Sequence, residues 1–223
     1  MRRTVGLLLA LSALASVGGC AGGDDSKTTT TTTTNSASAT NALPPAKKLA
    51  AGLLQPGDLG QGWSEVAIEP LGSELCGVIP LKSPGTTKAR AEFVRVADSD
   101  LVQDGLTAYP TGAAAAAVAA LRSATTGCRS YPVSVKNSAT GANQEFIVGV
   151  APLPIAATLG DERLGLRLDV RDAGGEPQRT LYGVIRRGDI IAALTVTGAQ
   201  TDRALFDRLL PIVDERLAKV AAA

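Results

Sequence analysis

Few residues in this chain could do chemistry. Three cysteines, Cys20, Cys76 and Cys128, stand in a sequence that has no histidine. That absence removes the Ser-His-Asp triad, the Cys-His pair and the usual zinc ligand sets together. No Ser-x-x-Lys is present either. Acid-base work would fall to carboxylates, and Asp161 and Glu162 are adjacent. Neighbours at a strand entry point apart, so the pair reads as solvated loop charge. "GQGWSE" at Gly60 begins like a dinucleotide fingerprint, but Glu65 replaces the third glycine and no strand precedes it. "DSDLVQDG" from Asp98 resembles a calcium loop, yet Val102 sits where an oxygen ligand belongs and Gly105 is out of register. It reads as a turn between strands. "RGD" at Arg187 has the letters of an adhesion tripeptide, and a hairpin turn explains all three residues. No catalytic residue, cofactor or metal site is expected.

Cys20 has a different chemistry. Upstream lie Arg2 and Arg3, an apolar run from Val5 to Ala15, and then Ser16 to Gly19. That is a charged region, an apolar core and a small-residue cleavage site. The run is too short to remain as a membrane-spanning helix, which needs roughly 20 apolar residues. "VGGC" resembles the bacterial lipobox, whose cysteine takes a diacylglycerol on its sulfur. That pattern makes residues 1–19 a leader and Cys20 the mature N-terminus, with a further acyl chain on its amine. Two or more chains anchor stably, each buried methylene adding roughly 0.8 kcal/mol. The lipid bilayer is thus the first expected partner, with the domain on the extracytoplasmic face. An ordinary secretory leader with an incidental cysteine is the alternative, and a twin-arginine export route is open as well.

From residue 20 to about 45 the chain is Thr, Ser, Gly, Asn and Asp with hardly a large apolar side chain. Burial cannot offset the entropy of ordering it, so it is a disordered tether. A flexible linker of that length holds its cargo about 25 to 30 Å away. Residues 46–223 are of a size for one domain. The whole chain carries a net charge of +1, and losing Arg2 and Arg3 with the leader makes it about −1, which provides no electrostatic footprint for nucleic acid. With Cys20 spent on lipid, an even pair remains in an oxidising compartment, so Cys76 and Cys128 should be bonded. Two buried free thiols are the alternative.

These candidates must be positioned by the folded part. "AKKLAAGLLQPGDLGQGW" predicts a short amphipathic helix closed by Pro56 and Gly57, then a Gly-punctuated loop. Trp63, the only tryptophan, could stack on a ligand there or plug the edge of the core. Strands are expected at 89–97, 101–109, 131–136 and 145–150. A helix lies between the second and third, capped at Thr111 and ended by Gly127. "RLGLRLDVR" at 163–171 alternates most cleanly: Leu164, Leu166, Leu168 and Val170 point one way, Arg163, Arg167 and Arg171 the other. "TLYGVIRRGDIIAALTVTG" reads as a hairpin. With Arg187 and Gly188 as the turn, Ile185 pairs Ile190, Gly183 pairs Ala192 and Leu181 pairs Leu194. A last helix from about Thr201 carries the stripe Phe206, Leu209, Val213, Leu217 and Val220, with Pro211 expected to kink or divide it.

A candidate ligand surface follows from these patterns. If 163–171 and the hairpin share one sheet with their leucine faces together, Arg163, Arg167 and Arg171 share the outer face with Tyr182 and Arg186. Forked donors beside a tyrosine and aliphatic residues suit an amphiphile with an anionic head. Trp63 is a further candidate.

"LLQPGDLGQGWSE", "YPTGAAAAAVAALRSATTGC", "LPIAATLGDERLGLRL" and "GVIRRGDIIAALTVTG" together resemble the PknH-like extracellular sensor domain of actinobacterial kinases and of many lipoproteins, over residues 50 to 220. That resemblance implies an α+β domain, a twisted antiparallel sheet with helices packed mainly on one face, a ligand-binding cleft and no enzymatic activity. Members often carry four cysteines in the domain, of which only Cys76 and Cys128 are matched here. The expectation is a non-catalytic envelope lipoprotein that binds or senses a small or lipidic ligand. The alternative is an interaction module that docks on another envelope protein.

Overall fold

The alternating segments that predict strands assemble, in the computed structural model, into one open sheet with helices on both sides. The structure describes residues 42–67, 75–77, 85–97, 99–136, 141–171, 178–198 and 203–223. Cys20, the expected leader, the expected tether up to residue 41 and Asp98 lie outside them. Strands β1 (Ser64–Glu65), β2 (Thr87–Arg95), β3 (Asp100–Ala108), β4 (Ser130–Lys136), β5 (Asn143–Pro152), β6 (Glu162–Arg171), β7 (Gln178–Arg187) and β8 (Ile190–Gly198) run in the order β1-β2-β3-β8-β7-β6-β5-β4. Every pairing is antiparallel. The α+β class read from the sequence is the one found. Among the described residues no helix is long and apolar enough to cross a membrane.

Helices α1 (Ala46–Ala50), α2 (Pro56–Leu59) and α4 (Arg203–Ala222) belong to one face, and α3 (Ala113–Thr126) covers β6 and β7 on the other. Each face has its own core. Phe93, Leu106, Leu181, Ile185, Leu194 and Phe206 fill the first. Leu121, Val150, Leu166, Val184 and Ile191 fill the second. The stripe Phe206, Leu209, Val213, Leu217 and Val220 of α4 is buried as its spacing predicts, and the helix continues through Pro211 without dividing. Packing on the sheet outweighs the one backbone bond that proline removes. Gly183 makes room for α4: a methyl there would approach Phe206 Cζ to 2.9 Å and Leu210 Cδ2 to 3.0 Å.

Two local expectations change. Pro56 opens α2 as its first residue instead of closing α1, with Gln55 and Asp58 forming a capping box around it. Thr111 does not cap α3; Gly112 holds that position with φ +78 and no side-chain cap. Its N–H instead donates to Asp189 Oδ1 at 2.8 Å, so the helix start is tied to the β7–β8 turn.

That turn is Gly188–Asp189, not Arg187–Gly188. Arg187 faces Ile190, Ile185 faces Ala192, Gly183 faces Leu194 and Leu181 faces Val196. Gly188 takes φ +54 at the first turn position, where a side chain would be strained. The register moves by two, an even shift, so Leu181, Ile185, Ile190 and Leu194 stay on one face as the alternation predicts.

Cys76 and Cys128 are joined, with Cα atoms 6.1 Å apart. The bond fastens the Leu75 segment to the end of α3, and Leu75 enters the second core.

Candidate functional site

From residue 46 onward the chain is drawn across the first face by its leucines. Leu49, Leu53, Leu54 and Leu59 are all buried against the sheet and α4. The strap they form, residues 46–59, is fastened to α4 by two arginines. Arg216 Nη2 donates to both Asp58 carboxylate oxygens at 2.8 and 3.0 Å, and its Nη1 to the Leu53 carbonyl at 3.1 Å. Arg208 donates to the carbonyls of Asp58 and Leu59 at 2.6 and 3.0 Å. Gly52 allows the close approach, since a methyl there would come within 2.5 Å of Val220 Cγ2.

Between strap and helix lies an open groove of about 590 Å³. Ala51, Ile212 and Val220 supply apolar lining, and Lys48, Arg216 and Lys219 supply cations. Arg216 is committed to Asp58, and Lys219 pairs with Glu215 at 2.6 Å. The groove thus mixes short apolar side chains with charged ones, the carboxylates of Asp58 and Glu215 included, and Lys48 is its one cation without a carboxylate partner among the described residues.

Beneath the strap sits Asp104 of β3, 2% exposed. Its Oδ2 accepts the Leu54 N–H at 2.8 Å, and its Oδ1 has no partner. Burial pushes its carboxyl up to about 7, against the amides of Leu54 and Gly105 and the charge of Arg216. On the opposite face Tyr109 and Tyr182 lie in the second core, their phenols pushed up by burial. The Tyr109 hydroxyl has no partner.

The surface expected from Arg163, Arg167, Arg171, Tyr182 and Arg186 does not come together. In the β6–β7 register Leu166 faces Tyr182 and Leu164 faces Val184, whereas Arg167 faces Leu181 and Arg163 faces Ile185. The leucines of β6 therefore lie under α3 with Tyr182, and the three arginines lie on the α4 side. The expectation that Leu164 and Leu166 share a face with Leu181 and Ile185 fails by one residue of parity. Its premise was a sheet with one buried face, and this sheet buries both. Arg167 is held by Asp169 at 3.1 Å, and Arg171 is exposed at the far end of β6.

Arg186 is structural. It donates to Glu162 Oε1 at 2.9 Å, to Asp161 Oδ2 at 3.4 Å and to the Gly188 carbonyl at 2.8 Å. Asp161 also accepts the Gly188 N–H at 2.8 Å. The adjacent carboxylates thus clamp a turn, a firmer role than the solvated loop charge read for them. Trp63 plugs the edge of the first core, with the Arg95 guanidinium 5.1 Å from its ring centroid.

Asp104 and Arg216 were not singled out from the sequence. Asp104 does carry a signal: it alternates in phase with Val102 and Leu106, so a carboxylate stands at a core position. Among the described residues no cluster of potential metal ligands is found.

No protein-family model and no curated protein matches the sequence. Among solved structures, the extracellular domain of PknH from Mycobacterium tuberculosis is similar, with a TM-score of 0.58 at 15% sequence identity. The match covers 81% of this chain and 98% of that one. In its open antiparallel sheet and flanking helices, the chain shares the fold of that extracellular domain.

Proposed function

We propose that the chain is an extracytoplasmic, non-catalytic lipoprotein, anchored through Cys20, whose domain binds or senses a small or lipidic ligand at the cell envelope. The observation that carries this reading is the fold likeness, which spans nearly the whole of a domain that is extracellular in its own protein. The lipobox-like "VGGC" supports the anchor. The groove along α4 supports the ligand, because its lining combines apolar side chains with Lys48.

Docking on another envelope protein is the weaker reading. Among the described residues the large apolar side chains left exposed are Val96 and Ile147. Val96 follows β2 and Ile147 lies in β5, with four strands between them in the sheet. Scattered single residues do not make a docking patch.

Two measurements test the proposal. Cys20→Ala should leave an uncleaved precursor that takes up no labelled fatty acid, and normal labelling of that variant would remove the anchor. Native mass spectrometry of the chain purified from its own host should show an adduct. Ala51→Trp, at an exposed position in the groove, should abolish the adduct while stability stays within about 0.5 kcal/mol. A wild-type chain with no adduct would favour the docking module.

A further inference from the structure

The strap, residues 46–59, is held over a carboxylate that is buried while the strap is seated. Asp104 is 2% exposed and accepts from the Leu54 N–H across the junction of strap and sheet. Its neighbours in the adjoining strands are Ala91 of β2 and Leu194 of β8, both buried. The charged groups facing it are Asp58 from α2 and Arg216 from α4, and these two are bound to each other. From α1, Leu49 is buried while Lys47 is exposed and Lys48 lines the groove. Ionised Asp104 therefore finds no uncommitted cation. The one guanidinium near it is shared with a second carboxylate.

We propose that Asp104 is the catch of a pH-responsive latch: protonated, it keeps residues 46–59 seated on the sheet, and ionised, it weakens that seating so that the strap opens more often. Ionised Asp104 keeps the Leu54 N–H on Oδ2 but leaves Oδ1 without a partner, a cost relieved by admitting water at the strap. The strap is fastened by polar clamps and four leucines, whereas the β7–β8 hairpin beside it is paired on both edges. The high titration range of the carboxyl places the change near neutrality.

Hydrogen exchange on the full chain in detergent, at pH 5.5 and 8.5 and corrected for intrinsic rates, tests the latch. Protection of the 53–59 amides should fall at least tenfold more than protection of the β7–β8 hairpin. Asp104→Asn should remove that difference. Equal changes in strap and hairpin, or a strap that still responds in Asp104→Asn, would overturn the proposal. Should that variant fail to fold, the wild-type Asp104 carboxyl is followed by carbon NMR. A midpoint above 6 that tracks the strap exchange supports the latch, and a midpoint near 4 refutes it.

Discussion

Asp104→Asn should flatten much of the pH dependence of folding stability between pH 4 and 7. In the unfolded chain the aspartate titrates at its ordinary value of 3.8, and in the folded protein at about 7. Below pH 4 both states hold the proton. Between the two values only the folded state does, so rising pH removes stability at about 1.4 kcal/mol per pH unit, about 4 kcal/mol in all. Above the folded value both states are ionised and the loss is complete. Asparagine keeps a carbonyl for the Leu54 N–H, but it places an amide where Oδ1 has no partner. That costs about 1 to 3 kcal/mol at every pH. The informative quantity is therefore the difference between wild type and variant measured by urea unfolding at pH 5 and pH 8. It should move in the variant's favour by about 3 kcal/mol over that range. A constant difference would show that Asp104 titrates as an exposed aspartate does.

Much of the architecture was legible because it depends on short-range periodicity. The strand at 163–171, the hairpin at 180–198 and the α4 stripe follow from spacing and parity within one segment, whereas the Cys76–Cys128 pair follows from the cysteine count once Cys20 is set aside. The assignment of β6 to a face was not legible. In the hairpin both Leu181/Ile185 and Tyr182/Val184 are apolar enough to be buried, so the sequence of β7 admits either partner for the leucines of β6. The tie is broken by α3, which covers the second face with Val118 and Leu121, and that is a long-range fact. The hairpin turn shows the reverse case. A single residue, Gly188 at φ +54, sets the register, and reading it as the second turn residue moved every pair by two without moving any side chain to the wrong face. The candidate groove was less legible still. Its cations come from α1 and from α4, whose sequence positions are far apart, and Asp104 reads in the sequence as part of "DSDLVQDG" and not as a core position of an alternating strand.

Arg187→Ala should be among the most destabilising single changes available on this surface. Arg187 Nε and Nη2 donate to Asp214 Oδ1 and Oδ2, both at 2.7 Å, which fixes the hairpin end to the middle of α4. The partners differ in exposure: the Arg187 side chain is 32% exposed and that of Asp214 is 9%. Removing the arginine leaves the buried Asp214 carboxylate, beside the core stripe of α4, with its partner gone, which costs about 3 to 5 kcal/mol. For a domain of this size that lowers Tm by about 10 °C. Asp214→Asn should cost less, because a guanidinium that is already about one-third exposed can turn to water whereas the buried carboxylate cannot. The double variant should recover part of the loss, since it removes the stranded charge. The same geometry bears on "RGD". Its arginine is held by two bonds to Asp214, and Asp189 Oδ1 accepts the Gly112 N–H, so neither charged end is free to meet a receptor. Thermal unfolding of the three variants at pH 7 decides the matter. Arg187→Ala and Asp214→Asn with equal, small losses would mean that the pair is a surface contact, and that the hairpin is held to α4 by Ile185 and its apolar neighbours alone.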